Sequence, residues 1–278
     1  MNTLIHFKGV NPMQKKESNS SQQSIERALK LLNIMADNRT ALTVTEISRL
    51  LNISRSTAYA MLNVMTEMNY LSRDPETGKY FLGYQVFILG SRARIRYSHL
   101  LACDTLLVNI LPQISVPFNT INIMVLEQDY KVLRFITKWP SLLASSSNQF
   151  SQQRVHPCYC TASGRILISE FPEEEQRKIL ESQNLYAYTS STVTDIDQLT
   201  DILKKIPKQG YTVEVEEYAN FEINAAAPIR DYSGKIVAAV NICASKLVYQ
   251  NRTQEYTQLL LALSQEMSSL LGYQGHMA

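Results

Sequence analysis

The stretch NISRSTAYAML, residues 52–62, decides how this chain is read. Four polar residues, Ser54, Arg55, Ser56 and Thr57, open a segment that then turns apolar. At about 100° per residue, a helix from Ser54 to Met68 puts Ala58, Met61, Leu62 and Met65 on one side. Ser56, Tyr59, Ala60, Asn63 and Glu67 fall on the other. Such a polar head is poor core material and suits a helix end that meets an anion, because free backbone N–H groups and the positive dipole end point there. Ser54 also fits the plainer role of N-cap.

The flanking pattern gives the head its context. Upstream, SIERALKLLNIMAD carries Ile25, Ala28, Leu29, Leu32 and Met35 or Ala36 at helical spacing, with Ser24 as the expected N-cap. TEISRLLN follows as a second helix capped by Thr45, and NIS is the turn into the third. Downstream, Tyr70–Arg73 and Lys79–Leu82 read as strands around DPETG, a turn built from Asp, Pro and Gly. Three helices and a hairpin over residues 24–82 predict a winged helix-turn-helix. In that motif the second helix enters the major groove by its N-terminal end. Ser54, Ser56 and Thr57 are then phosphate donors, and Arg55 meets phosphate or a guanine edge. Tyr59 and Asn63 face base edges, Arg73 and Lys79 grip the backbone from the wing, and Thr45 joins the candidate DNA-binding set from the preceding helix.

Residues 1–23 are polar, rich in Ser and Gln, and read as a disordered tail; Lys15 and Lys16 are solvated in that reading, and Met13 is an alternative start. Residues 83–110 read as a linker helix bearing Arg92, Arg94 and Arg96, with a break before HLLACDTLLVNILPQI. From 111 to 272 strands and helices alternate. NTINIMVLE and KVLRFITKW form a second hairpin, PSLLASSSNQFSQQRV is loop-like, and PEEEQRKILESQ and DIDQLTDILKKIPKQG are helices. YTVEVEEY, EINAAAPIRD and KIVAAVNICA are strands, and a helix over about 254–271 closes the chain. The expected fold class is α+β.

The chain has 278 residues, 45% hydrophobic and 19% charged, with a formal net charge of +2. That is a globular composition long enough for two domains, and its net charge does not by itself point to nucleic acid. Cys103, Cys158, Cys160 and Cys243 are too few for a disulfide scaffold. There is no recognisable signal peptide and no run near the roughly 18 apolar residues of a membrane span. A cytoplasmic protein with reduced thiols is expected.

SIERALKLLNIM, LTVTEISRLLNISRSTAYAMLNVMTEMNYLSRD and GKYFLG resemble the DNA-binding domain of IclR-type transcriptional regulators. TASGRIL, TDILKKIPKQGYTVEVEEY and AAAPIRDYSGKIVAAVNI resemble that family's GAF-like effector-binding domain, in the family's order over about 24–272. The resemblance implies a ligand-responsive bacterial regulator, expected to be a repressor of a catabolic operon. It implies a homodimer or homotetramer on a near-palindromic operator of double-stranded DNA, with no membrane partner. Many members carry Arg where this chain has Ala60, so the operator sequence does not carry over.

The resemblance also places an effector in the cup of the GAF-like sheet. Ala162, Ser163 and Gly164 would offer N–H groups at a helix start, and Glu214 and Glu217 would line or border the pocket. Phe221 and Asn224 stand where the family often has Gly and Cys; Asn241 and Cys243 stand where a relative offers two hydroxyls. Asn224 and Asn241 lie in the apolar runs EINAAAP and AAVNICA, and a buried amide left unsatisfied costs about 1–3 kcal/mol. The expected effector is a small hydroxylated carboxylic acid such as a sugar acid; an aromatic acid shaped by Phe221, Tyr159 and Phe150 is the runner-up. No cofactor, metal or catalytic residue is expected. The competing reading is a thiol- or metal-dependent enzyme using His156, Cys158 and Cys160 of VHPCYC, which share one side of an extended strand, with the N-terminal domain as an interaction module.

Overall fold

The computed structural model describes residues 20–37, 41–140 and 155–275. The chain divides into two compact units, one through Arg96 and one from Tyr97.

In the first unit α1 (Ser20–Asp37), α2 (Val44–Leu51) and α3 (Arg55–Glu67) precede the hairpin β1 (Leu71–Arg73) and β2 (Tyr80–Leu82), and α4 (Tyr84–Ala93) follows. Leu31, Met35, Ile47, Leu51, Ala58, Leu62, Met65, Leu71 and Tyr80 make its core. The apolar underside predicted for α3 is therefore the buried one. The start of α1 differs from expectation. The helix begins at Ser20 and runs through Ser24, supported by bonds at i,i+4 from Gln22 to Glu26 (3.2 Å) and from Arg27 to Gln23 (3.4 Å). Its buried face is centred on Leu31 and Met35, and Ile25 and Leu29 are exposed.

The cap of α2 also differs. Thr43, not Thr45, holds it. The Thr43 hydroxyl accepts from Glu46 N (3.3 Å) and Glu46 Oε2 accepts from Thr43 N (2.7 Å). This reciprocal capping box needs Glu three residues after the cap, which Thr43 has and Thr45 lacks. Asn52, at φ 51, stops α2 in the left-handed region, and the Ser48 hydroxyl donates to Ile53 O (2.8 Å) across the turn. Gly83 is required: a Cβ there would lie 2.1 Å from Asn69 O.

The second unit is built on a six-stranded sheet of order β5-β4-β3-β8-β7-β6, antiparallel at every pairing. Its strands are β3 (Thr120–Leu126), β4 (Val132–Lys138), β5 (Val155–His156), β6 (Thr212–Val215), β7 (Glu222–Arg230) and β8 (Ile236–Ser245). A 3-10 segment over Arg94–Leu100, irregular at Tyr97, leads into α5 (Leu101–Ile110). The helices α6 (Ala162–Ile168), α7 (Glu173–Ser182) and α8 (Ile196–Gln209) follow, and α9 (Lys246–Gln250) and α10 (Thr253–Leu270) end the unit. The short β5 and α9 were not predicted. The loop-like stretch expected over 140–155 and the tail expected over 1–23 fall almost wholly outside the described residues.

Side chains alternate across a strand, so each strand serves two faces. Ile121, Ile123 and Val125 of β3, Ile223, Ala225 and Ala227 of β7, and Ala238, Val240, Ile242 and Ala244 of β8 pack with Leu107 of α5 and with Tyr256, Leu260, Leu263 and Met267 of α10. The opposite face carries Met124, Ala226 and Ala239 against Ile166, Leu167, Leu199 and Leu203 of α6 and α8. On that same face lie Thr120 and Asn122 of β3, Asn224 of β7, and Asn241 and Cys243 of β8. The polar positions in apolar strands thus fall together, over a part of the sheet that the apolar cluster leaves uncovered.

Candidate functional site

At the head of α3, Ser54 has extended backbone (φ −65°, ψ 153°) and caps the helix, its Oγ accepting from Thr57 N (3.1 Å). The Ser54 hydroxyl is 2.8 Å from those of both Ser56 and Thr57, so three hydroxyls share one tip. Ser54, Arg55, Ser56, Thr57, Tyr59, Ala60 and Asn63 are all exposed, while Ala58 and Leu62 beneath them are fully buried. The tip is therefore held out by its apolar underside. On the hairpin, Asp74 Oδ1 accepts from Glu76 N (2.8 Å) and Thr77 N (3.1 Å), shaping the turn, and Gly78 occupies the left-handed region (φ 66). Those two N–H bonds hold the Asp74 carboxyl below its ordinary pKa. Arg73 and Lys79 are exposed beside this turn, and Arg73 lies over the Tyr80 ring at 5.8 Å. Thr45 is half-buried within α2.

In the second unit a cavity of about 230 Å³ opens on the polar face of the sheet. Ser163, Asn224, Asn241 and Cys243 line it; Ala162, Gly164, Glu214 and Glu217 do not. Ala162 is buried in the core beneath the sheet, and the other three have different tasks. A Cβ on Gly164 would lie 2.4 Å from Cys158 Cα, so this glycine permits close packing. Its N–H donates to the Thr161 hydroxyl (3.2 Å), which caps α6, and so does not face the cavity as an anion donor. Glu217 accepts both Arg165 Nη1 and Nη2 at 2.7 Å and also Val193 N at 3.1 Å. Arg165 in turn donates Nε–H to Tyr159 O (2.8 Å), so this buried pair ties the loop before α6 to the turn after β6. Glu216, at φ 56, ends β6 earlier than the predicted strand YTVEVEEY and turns Glu217 inward. Glu214 lies behind the cavity wall, accepting from Asn224 Nδ2 (2.6 Å) and from Glu217 N (2.9 Å). Burial, partly offset by those two bonds, pushes its pKa up to about 7.

Lining residues that sequence reasoning missed include Asn122, Arg134 and Tyr218, with Thr120, Met124 and Glu222. Asn122 Nδ2 donates to Thr120 Oγ1 (3.0 Å) and, across β3 and β8, to Asn241 Oδ1 (3.3 Å). Among the described residues its own Oδ1 accepts no hydrogen bond. Arg134 Nη2 donates to His156 Nε2 (3.0 Å), and the His156 ring meets Tyr218 edge-on at 5.2 Å. Asn122 carries the same signal as Asn224 and Asn241, an amide in the apolar run NTINIMVLE. Arg134 had no local signal, since an Arg in an alternating strand reads as solvent-facing.

The thiol reading loses its geometry here. β5 ends at His156, and residues 157–161 turn, so the three VHPCYC side chains do not share a strand face. His156 lines the cavity, whereas Cys158 and Cys160 are fully buried in the core beneath α6. Burial pushes the Cys158 thiol up to about 12 and raises that of Cys160 as well, the reverse of what a nucleophile needs. Among the described residues no group of three or more His, Cys, Asp or Glu is placed to hold a metal. The aromatic residues of the runner-up reading are likewise elsewhere. Phe221 is 78% exposed, Tyr159 is buried with its hydroxyl donating to Tyr186 O (2.7 Å), and Phe150 lies outside the described residues.

Comparison with known proteins matches both units. Residues 24–75 match the IclR helix-turn-helix domain, and residues 119–269 match the bacterial transcriptional regulator IclR C-terminal domain. The HTH-type transcriptional regulator KdgR of Escherichia coli is 27% identical over 255 residues, which span 91% of this chain and 94% of that one. The crystal structure of the Thermotoga maritima IclR superposes with a TM-score of 0.74 at 26% identity, covering 90% of this chain and 99% of that one. An IclR homologue from Microbacterium hydrocarbonoxydans, crystallised with 4-hydroxybenzoate, has the same fold, with a TM-score of 0.72 at 22% identity over 89% of this chain and 98% of its own.

Proposed function

This chain belongs to the IclR family of bacterial DNA-binding transcriptional regulators, and from that premise we propose that it is a cytoplasmic repressor released or tightened by a small hydroxylated carboxylic acid, such as a sugar acid. The observation that carries the reading is the polar cavity on an otherwise apolar sheet face, lined by Asn122, Asn224 and Asn241. Amides in such a place favour a ligand rich in hydroxyls. The bound 4-hydroxybenzoate of the Microbacterium homologue supports ligand binding in this fold. Among the described residues no helix is long and apolar enough to cross a membrane.

DNA is read by the tip of α3: Ser54, Ser56 and Thr57 donate to phosphate oxygens, Arg55 takes phosphate or guanine, and Tyr59 and Asn63 meet base edges. Arg73 and Lys79 hold the flanking backbone. Two copies, in a homodimer or as half of a homotetramer, set two α3 tips about one turn of DNA apart on a near-palindromic operator. The effector works by binding two dimer geometries with different affinity, since a ligand indifferent to both shifts nothing. Repression is assigned because occupancy of the site suffices for it, with no productive contact to polymerase required. The test is mobility shift of genomic fragments combined with a thermal-shift screen of small acids. An acid that raises Tm and also alters DNA affinity bears the reading out; loss of the Tm shift in Asn224→Ala places that acid in this cavity.

A further inference from the structure

The cavity is not uniformly polar, and its unevenness says which way round a ligand sits. Its lining comes from five neighbouring strands, β5, β4, β3, β8 and β7, with Arg134 on β4 and Glu222 on β7. The registers put Arg134 level with Met124, Ala239 and Pro228, so Glu222 lies diagonally from it, three strand spacings across the sheet (roughly 14 Å between strand axes) and six residues along β7. Arg134 donates to His156 Nε2, which requires that nitrogen to be unprotonated and the imidazole neutral. The positive charge of the lining is therefore at the β4 end and the carboxylate of Glu222 at the β7 end. A guanidinium has five donors, so it can hold His156 and a carboxylate together.

Between the ends stands Asn122. It is 3% exposed, its Nδ2 donates to Thr120 and Asn241, and among the described residues its Oδ1 has no donor. A buried acceptor left unmade is costly, and an amide oxygen can be satisfied only by a donor such as a hydroxyl. Asn122 sits one same-face step along β3 from Met124, the register partner of Arg134. Such diagonal neighbours are about 7–8 Å apart, within the span of one small molecule. The cavity volume of about 230 Å³ lies below the about 300–1,000 Å³ of sites for drug-sized ligands.

Resting on the reading of this cavity as the effector site, we propose that the ligand is a polyhydroxy monocarboxylic acid held in one orientation. Its carboxylate lies on Arg134, one hydroxyl donates to Asn122 Oδ1, and its far hydroxyls lie towards Asn224 and Glu222. Three residues divide the selection. Arg134 rejects neutral sugars, Asn122 rejects acids without a hydroxyl, and Glu222 repels a second carboxylate. Dicarboxylic sugar acids of the same length are excluded by charge at the β7 end.

The test uses the full chain and calorimetric titration with gluconate, galactonate, glucuronate and galacturonate. Each is compared with its parent aldose, its dicarboxylic counterpart and hexanoate. At least one monoacid is expected to bind, and its aldose, its dicarboxylate and hexanoate to bind at least about tenfold more weakly, the size of one charge-assisted hydrogen bond. Arg134→Met is expected to erase the preference of acid over aldose, and Arg134→Lys to restore part of it. Asn122→Leu, close in volume, is expected to erase the preference over hexanoate while its melting transition stays cooperative. A dicarboxylate binding as tightly as the monoacid overturns the proposal, as does undiminished acid binding by Arg134→Met. In both cases the cavity remains an effector site. If none of these compounds binds the wild-type chain, the sugar-acid reading falls together with the proposal.

Discussion

The tip of α3 and the cavity of the second unit are both polar clusters, but one is made by a helix end and the other by a sheet. At the tip, Ser54, Ser56 and Thr57 are sequence neighbours, the Ser54 hydroxyl bonded to the other two at 2.8 Å, and all three are exposed. In the cavity, Asn122, Arg134, Asn224 and Asn241 come from four strands and meet only because β3 pairs with both β4 and β8, and β8 with β7. A helix end exposes its chemistry through local capping and one buried face. A cavity exists only when distant strands agree in register, and much of what supports it is itself polar and buried. The two regions should therefore fail differently when altered: the buried supports behind the cavity through loss of fold, the outward side chains of the tip through loss of binding.

The largest expected effect lies behind the cavity. Glu217→Ala leaves Arg165 charged and buried without its bidentate partner, which is expected to cost about 3–5 kcal/mol in chemical denaturation. Next comes Gly164→Ala, whose Cβ meets Cys158 at 2.4 Å; overpacking there is expected to cost about 1–3 kcal/mol and to lower Tm. At the tip, Arg55→Ala is expected to leave Tm where it is and weaken operator binding, by about 1–3 kcal/mol at one base position if it reads guanine, or uniformly with a salt slope reduced by about 1 if it holds phosphate. A fall in Tm without loss of binding would erase the contrast between the two regions. Ser54→Ala removes the cap of α3 and is expected to cost about 1 kcal/mol of stability.

The smallest effect is a pH slope. Glu214 has its pKa raised from 4.5 to about 7, so between those values the folded state binds more protons than the unfolded one. Stability from this group is greatest below the unfolded pKa and is lost as pH rises through about 7. Melting scans from pH 5 to 8 should show that decline, and Glu214→Gln should flatten it. A slope of the opposite sign would mean that Glu214 is ionised and held by its hydrogen bonds.

The same contrast explains what was legible in the sequence. The α3 face, the DPETG turn and the strand pairs followed from periodicity and turn chemistry, which are local. Asn224 and Asn241 stood out because amides interrupt apolar runs. Asn122 gives the same signal, masked by the alternation of its strand. Arg134 and Glu222 read as ordinary charges at strand positions, and only pairing across the sheet turns them into the cavity. Glu217 looked like part of an acidic edge, whereas the left-handed turn at Glu216 sends it inward to Arg165. The start of α1 and the cap of α2 were missed for a smaller reason: Ser24 and Thr45 looked like caps, but Ser20–Gln23 continue the helix and Thr43 has Glu46 at the capping distance.

The most direct test of the account is mobility shift of genomic fragments at low salt, with and without the monoacid that most raises Tm. The expected result is that the wild-type chain retards at least one duplex and that the acid changes the Kd of that complex. Failure to retard any duplex, or a Kd indifferent to an acid that demonstrably fills the cavity, would contradict it.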